Sequence, residues 1–444
     1  MRDMPDAPKR HWRRDRTFLL VSAPFGPFGR ELAHELRRRG ARALRVILNG
    51  GDRLDWGGAF ALPFPGDLTE WRGWLESAIA ANGVTDILTY GDSNPFAIQT
   101  LDLANALGLR AHVLEQGYFR PNWVTLESGG VNGHSRLPRD PHWYQDHPMA
   151  AASQDRQVVG HTILPAIGNI VAYHLAMYLG TPLFPRYREP YSDPAAVQAA
   201  GHVARFAWQQ LSRARSQRRF RRLTAAGGPI FLCALQRPGD SQLWRYSEFS
   251  TASSFAERVV ASFASHSPPT ARLVIRPHPL DPGLISQSEL FGRIARREKV
   301  EGRVVFVDYG KLHEVLPLVS GVVCVNSTAG LAAIEFGKPT ITMGRAIYDI
   351  PGLTHQGCLD GFWKAPQAPD PALYEAFRRV VIAETQINGA YATRHGREMA
   401  VRGVTKRLLE ENVAPSAVRE PVQAQGRRSL LVTARPATAG APSG

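Results

Sequence analysis

Phe18-Leu19-Leu20-Val21-Ser22, then Gly26-Pro27-Phe28-Gly29, then Leu44-Arg45-Val46-Ile47-Leu48 running into Asn49-Gly50-Gly51-Asp52, decide the fold. The two apolar runs are too short for helices and read as strands buried on both faces. Between them, residues 30–39 carry a helical pattern that stops at Gly40. Strand, turn, helix and strand form the unit of a parallel sheet with helical crossovers. Outward from this unit the pattern repeats. A helix is expected over 71–81, a strand over 86–90 ending in Gly91-Asp92-Ser93, a helix over 96–107 and a strand over 111–114. Polar clusters recur at the C-terminal ends of these strands, where open α/β sheets bind ligands.

Residues 146–225 read as helical and increasingly basic, with six arginines among residues 213–222. Ala225-Ala226-Gly227-Gly228-Pro229 breaks the chain there, and the alternation restarts. Strands are expected over 230–235, 272–276, 304–307, 321–325 and 340–343, and helices over 254–265, 312–319 and 331–336. Two successive doubly wound, Rossmann-like α/β domains suggest the two-domain, GT-B-like architecture of glycosyltransferases, with a ligand in the cleft between them. The expected division is a basic arm over 1–16, an acceptor-side domain over 17–225, a nucleotide-sugar-binding domain over 226–412 and a disordered tail over 413–444.

The chain has 444 residues, with 53 Lys plus Arg against 39 Asp plus Glu, a net charge of +14. That surplus favours a polyanionic partner, or else marks only a solvated basic surface. Three scattered cysteines, Cys233, Cys324 and Cys358, exclude a disulfide scaffold and a cysteine metal site and point to a reducing compartment. No secretory signal is apparent, because the apolar run after the basic N-terminus is too short. Residues 163–179 are the most apolar longer window, but Pro165, Asn169 and His174 make them read as a buried helix rather than a span. The arginines of 213–222 have Phe220 as their only aromatic, so they fit a helix face against anionic lipid better than a nucleic-acid groove. Dehydrogenase, P-loop, zincin and nucleophile-elbow motifs are missing from any suitable context, and no cofactor or metal is expected.

Five segments carry candidate chemistry. The run Glu115-Gln116-Gly117-Tyr118-Phe119-Arg120-Pro121-Asn122-Trp123-Val124-Thr125-Leu126-Glu127, with Gly130-Val131-Asn132-Gly133-His134-Ser135, reads as a loop too polar to be idle. Asn326-Ser327-Thr328-Ala329-Gly330 offers hydroxyls and backbone N–H groups at a helix start, an anion site or a plain N-cap. Glu335 follows within reach of a ribose. Arg276-Pro277-His278-Pro279 holds a histidine between two prolines after a strand. Gln236-Arg237-Pro238-Gly239-Asp240-Ser241-Gln242 suits base or phosphate recognition, or is a turn. Asn49-Gly50-Gly51-Asp52 is a turn, or a place where substrate approaches the backbone.

Taken in order, these segments resemble the capsule polysaccharide biosynthesis and export family of the KpsS/LipB type. The pattern continues through Arg345-Ala346-Ile347-Tyr348-Asp349-Ile350-Pro351-Gly352-Leu353-Thr354, Phe362-Trp363 and Thr385-Gln386-Ile387-Asn388-Gly389, and covers roughly residues 18–390. The resemblance implies a retaining β-Kdo transferase. Such an enzyme takes CMP-Kdo as donor and an anionic, phosphatidylglycerol-type lipid as acceptor, at the inner face of the cytoplasmic membrane. Other capsule synthesis and export proteins are then potential partners, and nucleic acid is not. It implies Gln236, Arg276, His278, Asn326, Ser327, Thr328 and Glu335 at the donor, and Asn49, Asp52, Arg120 and Asn132 at the substrate. Arg120 would meet the sugar carboxylate. The reaction needs a carboxylate at the anomeric carbon. Related modules carry an acidic pair before glycine, whereas this chain has Gln116 at the second position. Glu115 is therefore the first choice and Glu127 the second, with His278 assisting departure of CMP. Two alternatives stand beside this reading: another CMP- or CDP-activated transferase, such as a sialyl or glycerophosphate enzyme, and a non-catalytic capsule-assembly scaffold.

Overall fold

The computed structural model describes residues 16–151, 157–189, 193–225, 227–237, 241–308 and 310–410. The expected arm, apart from Arg16, the expected tail, and residues 238–240 lie outside the described residues.

The first lobe runs β1 (Thr17–Leu20), α1 (Phe28–Arg38), β2 (Arg42–Ile47), α2 (Gly50–Trp56), β3 (Ala61–Pro63), α3 (Trp71–Asn82), β4 (Asp86–Tyr90), α4 (Pro95–Ala106), β5 (Arg110–Gln116) and β6 (Trp123–Ser128). Helices α5 (Pro141–Asp146), α6 (Ile163–Leu179) and α7 (Ala195–Ala225) follow. The second lobe runs β7 (Ile230–Ala234), α8 (Ser241–Tyr246), α9 (Ala252–His266), β8 (Arg272–Arg276), α10 (Gln287–Arg297), β9 (Val304–Phe306), α11 (Leu312–Val315), β10 (Gly321–Cys324), α12 (Thr328–Glu335), β11 (Thr340–Thr342) and α13 (Leu359–Phe362). The chain ends with α14 (Pro371–Thr385), β12 (Gln386–Asn388) and α15 (Arg394–Glu410).

Side-chain alternation explains why both sheets are covered. Leu19 and Val21 enter one core with Val46, Ile87, Trp71 and Leu75. Phe18 and Leu20 enter another with Leu32 and Leu36 of α1 and Val404 and Leu408 of α15. In the second lobe Cys233 and Ile275 face α9, while Leu232 and Val274 face the opposite core. Local signals place the helices between strands. Asn94 caps α4 ahead of Pro95, Thr251 and Ser254 form a capping box on α9, and Gly83 closes α3 at φ 60°.

Strand order is β12-β6-β5-β4-β1-β2-β3 in the first sheet and β11-β10-β7-β8-β9 in the second. The architecture is therefore the expected one, two doubly wound α/β lobes of the GT-B type. Order reverses between β1 and β4, and between β7 and β10, so each lobe has a crevice at that point. Charges at the opposite strand ends are structural. Buried Asp86 binds Arg16, Arg110 and His112, whose hydrogen bonds outweigh burial and hold its carboxyl far below the usual range.

Four expectations need correction. Residues 123–128 form a strand antiparallel to β5, so the polar segment is a β-hairpin rather than a loop. Residues 386–410, expected in the second domain, return to the first: β12 pairs with β6, and Arg397 binds Glu31 at 2.9 Å. Helix α7, expected in the first domain, packs on the second, with Leu223 in its core and Arg205 bound to Asp308 at 2.7 Å. Helix α6 is not buried as a whole; apart from Met177, its large apolar side chains are exposed.

Candidate active site

The crevice of each lobe is bridged by a hydrogen bond. Tyr90 N–H donates to Ser22 Oγ at 2.7 Å in the first, and Gln236 Nε2 donates to Asn326 Oδ1 in the second. Ser327 caps α12, its hydroxyl accepting from Ala329 N–H at 3.2 Å, with Thr328 exposed beside it. The predicted pair Gln236 and Asn326 thus meet at the mouth of the second crevice, next to the start of a helix.

His278 lies on the loop after β8, one strand away. Its Nδ1 accepts from Leu280 N–H at 3.0 Å, so the proton of the neutral ring is on Nε2, available to a ligand. Burial and the positive charges of Arg120, Arg237 and Arg205 push its pKa down to about 4, so the ring is neutral at neutral pH. Arg205 also fixes the loop, binding the His278 carbonyl at 3.0 Å. Arg276 is committed beneath it to the Gly310 carbonyl, its pKa lowered by burial.

Arg120 belongs to the other lobe. It stands exposed at the tip of the β5–β6 hairpin, with Nε donating to Gly117 carbonyl at 3.3 Å. Its positive charge is among those that lower the His278 pKa, so the hairpin tip and the β8 loop lie within electrostatic reach of each other. Pairing of Glu115 with Thr125 and of Val113 with Glu127 puts the two glutamates on one face of the sheet, as diagonal neighbours. Glu115 is half-buried, its Oε1 accepting from Gln116 N–H at 2.8 Å; Gln116 itself is exposed and donates to Tyr90.

Glu127 is buried. Its oxygens accept from Tyr118 at 2.6 Å and from Ser135. Burial pushes its pKa up to about 7 against those two hydrogen bonds, and Asp92 adds to the rise. Tyr118 in turn accepts from Asn132 N–H at 2.9 Å. With both oxygens occupied, Glu127 positions the 132–135 turn and is not disposed to attack a substrate.

Next to it is a cluster that sequence reasoning missed. Tyr246 from the second lobe donates to buried Asp92 at 2.6 Å, and His134 Nδ1 is 3.4 Å from the same carboxylate. Burial would raise the Asp92 pKa, but hydrogen bonds from His134, Tyr246 and Val131 N–H bring it below the usual value. A Cβ on Gly133 would stand 2.4 Å from the Tyr246 ring, so glycine permits this contact between lobes. Gly91-Asp92-Ser93 at a strand end was the available signal; Tyr246 and Arg205 carry none.

Three predicted residues are elsewhere. Asn49 caps α2, and Asp52 binds Arg45 at 2.7 Å, both buried. The glycines between them receive α6, because a Cβ on Gly50 would stand 2.1 Å from the Ala176 carbonyl. Glu335 ends α12, about 12 Å of helix away from Ser327.

Residues 85–391 match the family model described as "Capsule polysaccharide biosynthesis protein". The chain belongs to this capsule polysaccharide biosynthesis family. Its relatives include the capsule polysaccharide export protein KpsS of Escherichia coli, 33% identical over 377 residues, covering 85% of this chain and 97% of that one. The capsule polysaccharide modification protein LipB of Neisseria meningitidis serogroup B is 30% identical, covering 84% and 91%. Among solved structures, the KpsC β-Kdo 2,7 transferase of Thermosulfurimonas dismutans aligns with a TM-score of 0.41 at 14% identity, covering 88% and 99%. Within the family pattern, Asn49-Gly50-Gly51-Asp52 is an internal packing motif in this member.

Proposed function

We propose that this capsule biosynthesis protein is a retaining β-Kdo glycosyltransferase, moving Kdo from CMP-Kdo to a phosphatidylglycerol-type lipid at the inner face of the cytoplasmic membrane. The reading is supported by the electrostatic reach of Arg120, on the hairpin of one lobe, to His278, on a loop of the other. It joins a carboxylate-bearing hairpin to a loop rich in positive charge, as a donor with a phosphate and a carboxylate on one carbon requires.

In this reading the cytidine phosphate lies over Ser327, Thr328 and His278, and Nε2–H donates to the departing oxygen. Arg120 meets the sugar carboxylate. The bond from the anomeric carbon to the phosphate oxygen breaks with its electron pair on CMP, while a Glu115 oxygen bonds to that carbon. The acceptor hydroxyl then displaces Glu115, giving its proton to the phosphate of the departing CMP, and configuration is retained over two inversions. Glu127, Tyr118 and Asn132 hold the hairpin and its following turn.

The test is product mass after incubation with CMP-Kdo and phosphatidylglycerol, with CMP-sialic acid and CDP-glycerol in parallel. A single Kdo addition is expected, lost in Glu115→Gln and in His278→Ala proteins that unfold at the wild-type midpoint. Addition of sialic acid or glycerophosphate instead would assign another donor. Wild-type transfer by Glu115→Gln would remove that residue from the chemistry.

A further inference from the structure

Helix α6 is amphipathic in the reverse sense to an ordinary surface helix. Its polar side chains point inward: Tyr173 donates to Asp52 at 3.2 Å and accepts from Asn49 at 2.9 Å, and Asn169 donates to the Phe25 carbonyl. Apart from buried Met177, its large apolar side chains point outward. Ile163, Leu164, Ile167, Val171, Leu175 and Leu179 are all exposed, Leu164 by 80%. The helix contains no Asp, Glu, Lys or Arg. A contiguous apolar face of this kind marks an interaction site.

Two observations identify what covers it. No helix among the described residues, α6 included, is long and apolar enough to cross a membrane. The chain as a whole carries an excess of basic residues. Helix α7 starts beside the C-terminal end of α6, where the Tyr178 hydroxyl accepts from Ala196 N–H at 3.3 Å. It carries exposed Phe206, Trp208 and Leu211, then exposed Arg213, Arg215, Arg218, Arg221 and Arg222. A net charge of +14 opposes pairing of two copies and favours an anionic surface.

We propose that the outward face of α6 lies in the interface of an anionic phospholipid bilayer, with the arginines of α7 supplying the electrostatic attraction. The choice of an anionic lipid surface rests on the lipid-acceptor reading above. The apolar face supplies the insertion that charge alone would not.

The experiment compares the full chain with a Leu164→Gln/Val171→Gln/Leu175→Gln protein by cosedimentation with phosphatidylcholine vesicles, with and without phosphatidylglycerol. All three sites are exposed, and glutamine favours helix. Wild type is expected to bind only the anionic vesicles, and the variant at least about tenfold more weakly. Transfer to a short-chain, dispersed acceptor should be unchanged. Equal vesicle binding by both proteins overturns the proposal, as does failure of wild type to bind. So does a wild-type dimer in sedimentation velocity that the substitutions dissociate, which would assign the face to a second copy. If vesicle binding depends on α6 but no Kdo is transferred, the transferase reading fails and the anchor stands. If transfer to dispersed acceptor proceeds while binding ignores α6, the reverse holds.

Discussion

Glu127→Gln isolates the energetics of the buried carboxyl behind the hairpin. Its pKa is about 7 in the folded protein against an ordinary 4.5. Between those values the folded state binds more protons than the unfolded state. The stability this group contributes is complete below pH 4.5 and is lost as pH rises through 7. The gap, 7 − 4.5, is 2.5, which at ~1.4 kcal/mol per unit is about 3 kcal/mol. Glutamine has no such equilibrium. The stability of the variant minus that of wild type should therefore rise by about 3 kcal/mol from pH 4.5 to 7 and then level off. The difference is the quantity to measure, because His278 acts in the opposite direction. Its pKa of about 4 is below the ordinary 6.5, so its contribution is complete above 6.5 and lost as pH falls through 4. The two slopes oppose each other in wild type and would flatten its curve. Urea unfolding at a series of pH values, followed by tryptophan fluorescence, gives the difference directly. A difference independent of pH would refute the reasoning, since it would mean that Glu127 is already ionised across that range.

Three further substitutions probe the placement of the site. Arg120→Ala removes a positive charge facing His278, so the histidine pKa should move up from about 4; an unchanged NMR titration would mean that the hairpin tip does not face the β8 loop. Tyr246→Phe leaves buried Asp92 with His134 and Val131 N–H, at a cost of about 1–3 kcal/mol, and should speed hydrogen exchange over 131–135. Unchanged protection there would refute the tie between lobes. Gly50→Ala should lift α6 from α2 and expose 163–179 to limited proteolysis while CMP still binds. Lost CMP binding with α6 still protected would return Gly50 to the ligand site.

The parallel strands were legible because each is a short apolar run closed by polar or glycine residues. Residues 86–90 and 272–276 have the same bounds in both readings. Strand β6 was not legible, because Thr125 and Glu127 are polar yet buried. Each is satisfied by a side chain outside its own strand: Thr125 accepts from Gln386 at 3.0 Å, and Glu127 from Tyr118 and Ser135. Hydropathy identified α6 as apolar but contains no information on which way a helix turns. Its inward side is chosen by Gly50 and Gly51, whose lack of side chains admits its backbone. Among the proposed site residues, Arg120 and His278 were named from their loops, and the structure gives each a defined place there. Asp92 needs Tyr246, 154 positions away, before it stands out.

The return of the chain to its first lobe explains how a hairpin tip can serve as a site wall. Without β12, strand β6 would be the sheet's edge, with half of its backbone groups unpaired. β12 covers it in antiparallel register from Thr125 to Trp123. Gln386 then accepts from Tyr118 N–H at 3.0 Å, and Gly389 N–H donates to the Asn122 carbonyl at 2.9 Å. Both ends of the tip are thus held by residues that follow the whole second lobe in sequence. Tyr391 adds a hydrogen bond to the Glu115 carbonyl at 2.9 Å. The main chain of Glu115, the carboxylate proposed for the reacting carbon, is held by the returning segment, and the charge of Arg120 on the same hairpin reaches His278 in the lobe from which that segment returns. The strand that completes the first sheet therefore also holds the hairpin that carries Glu115 and Arg120.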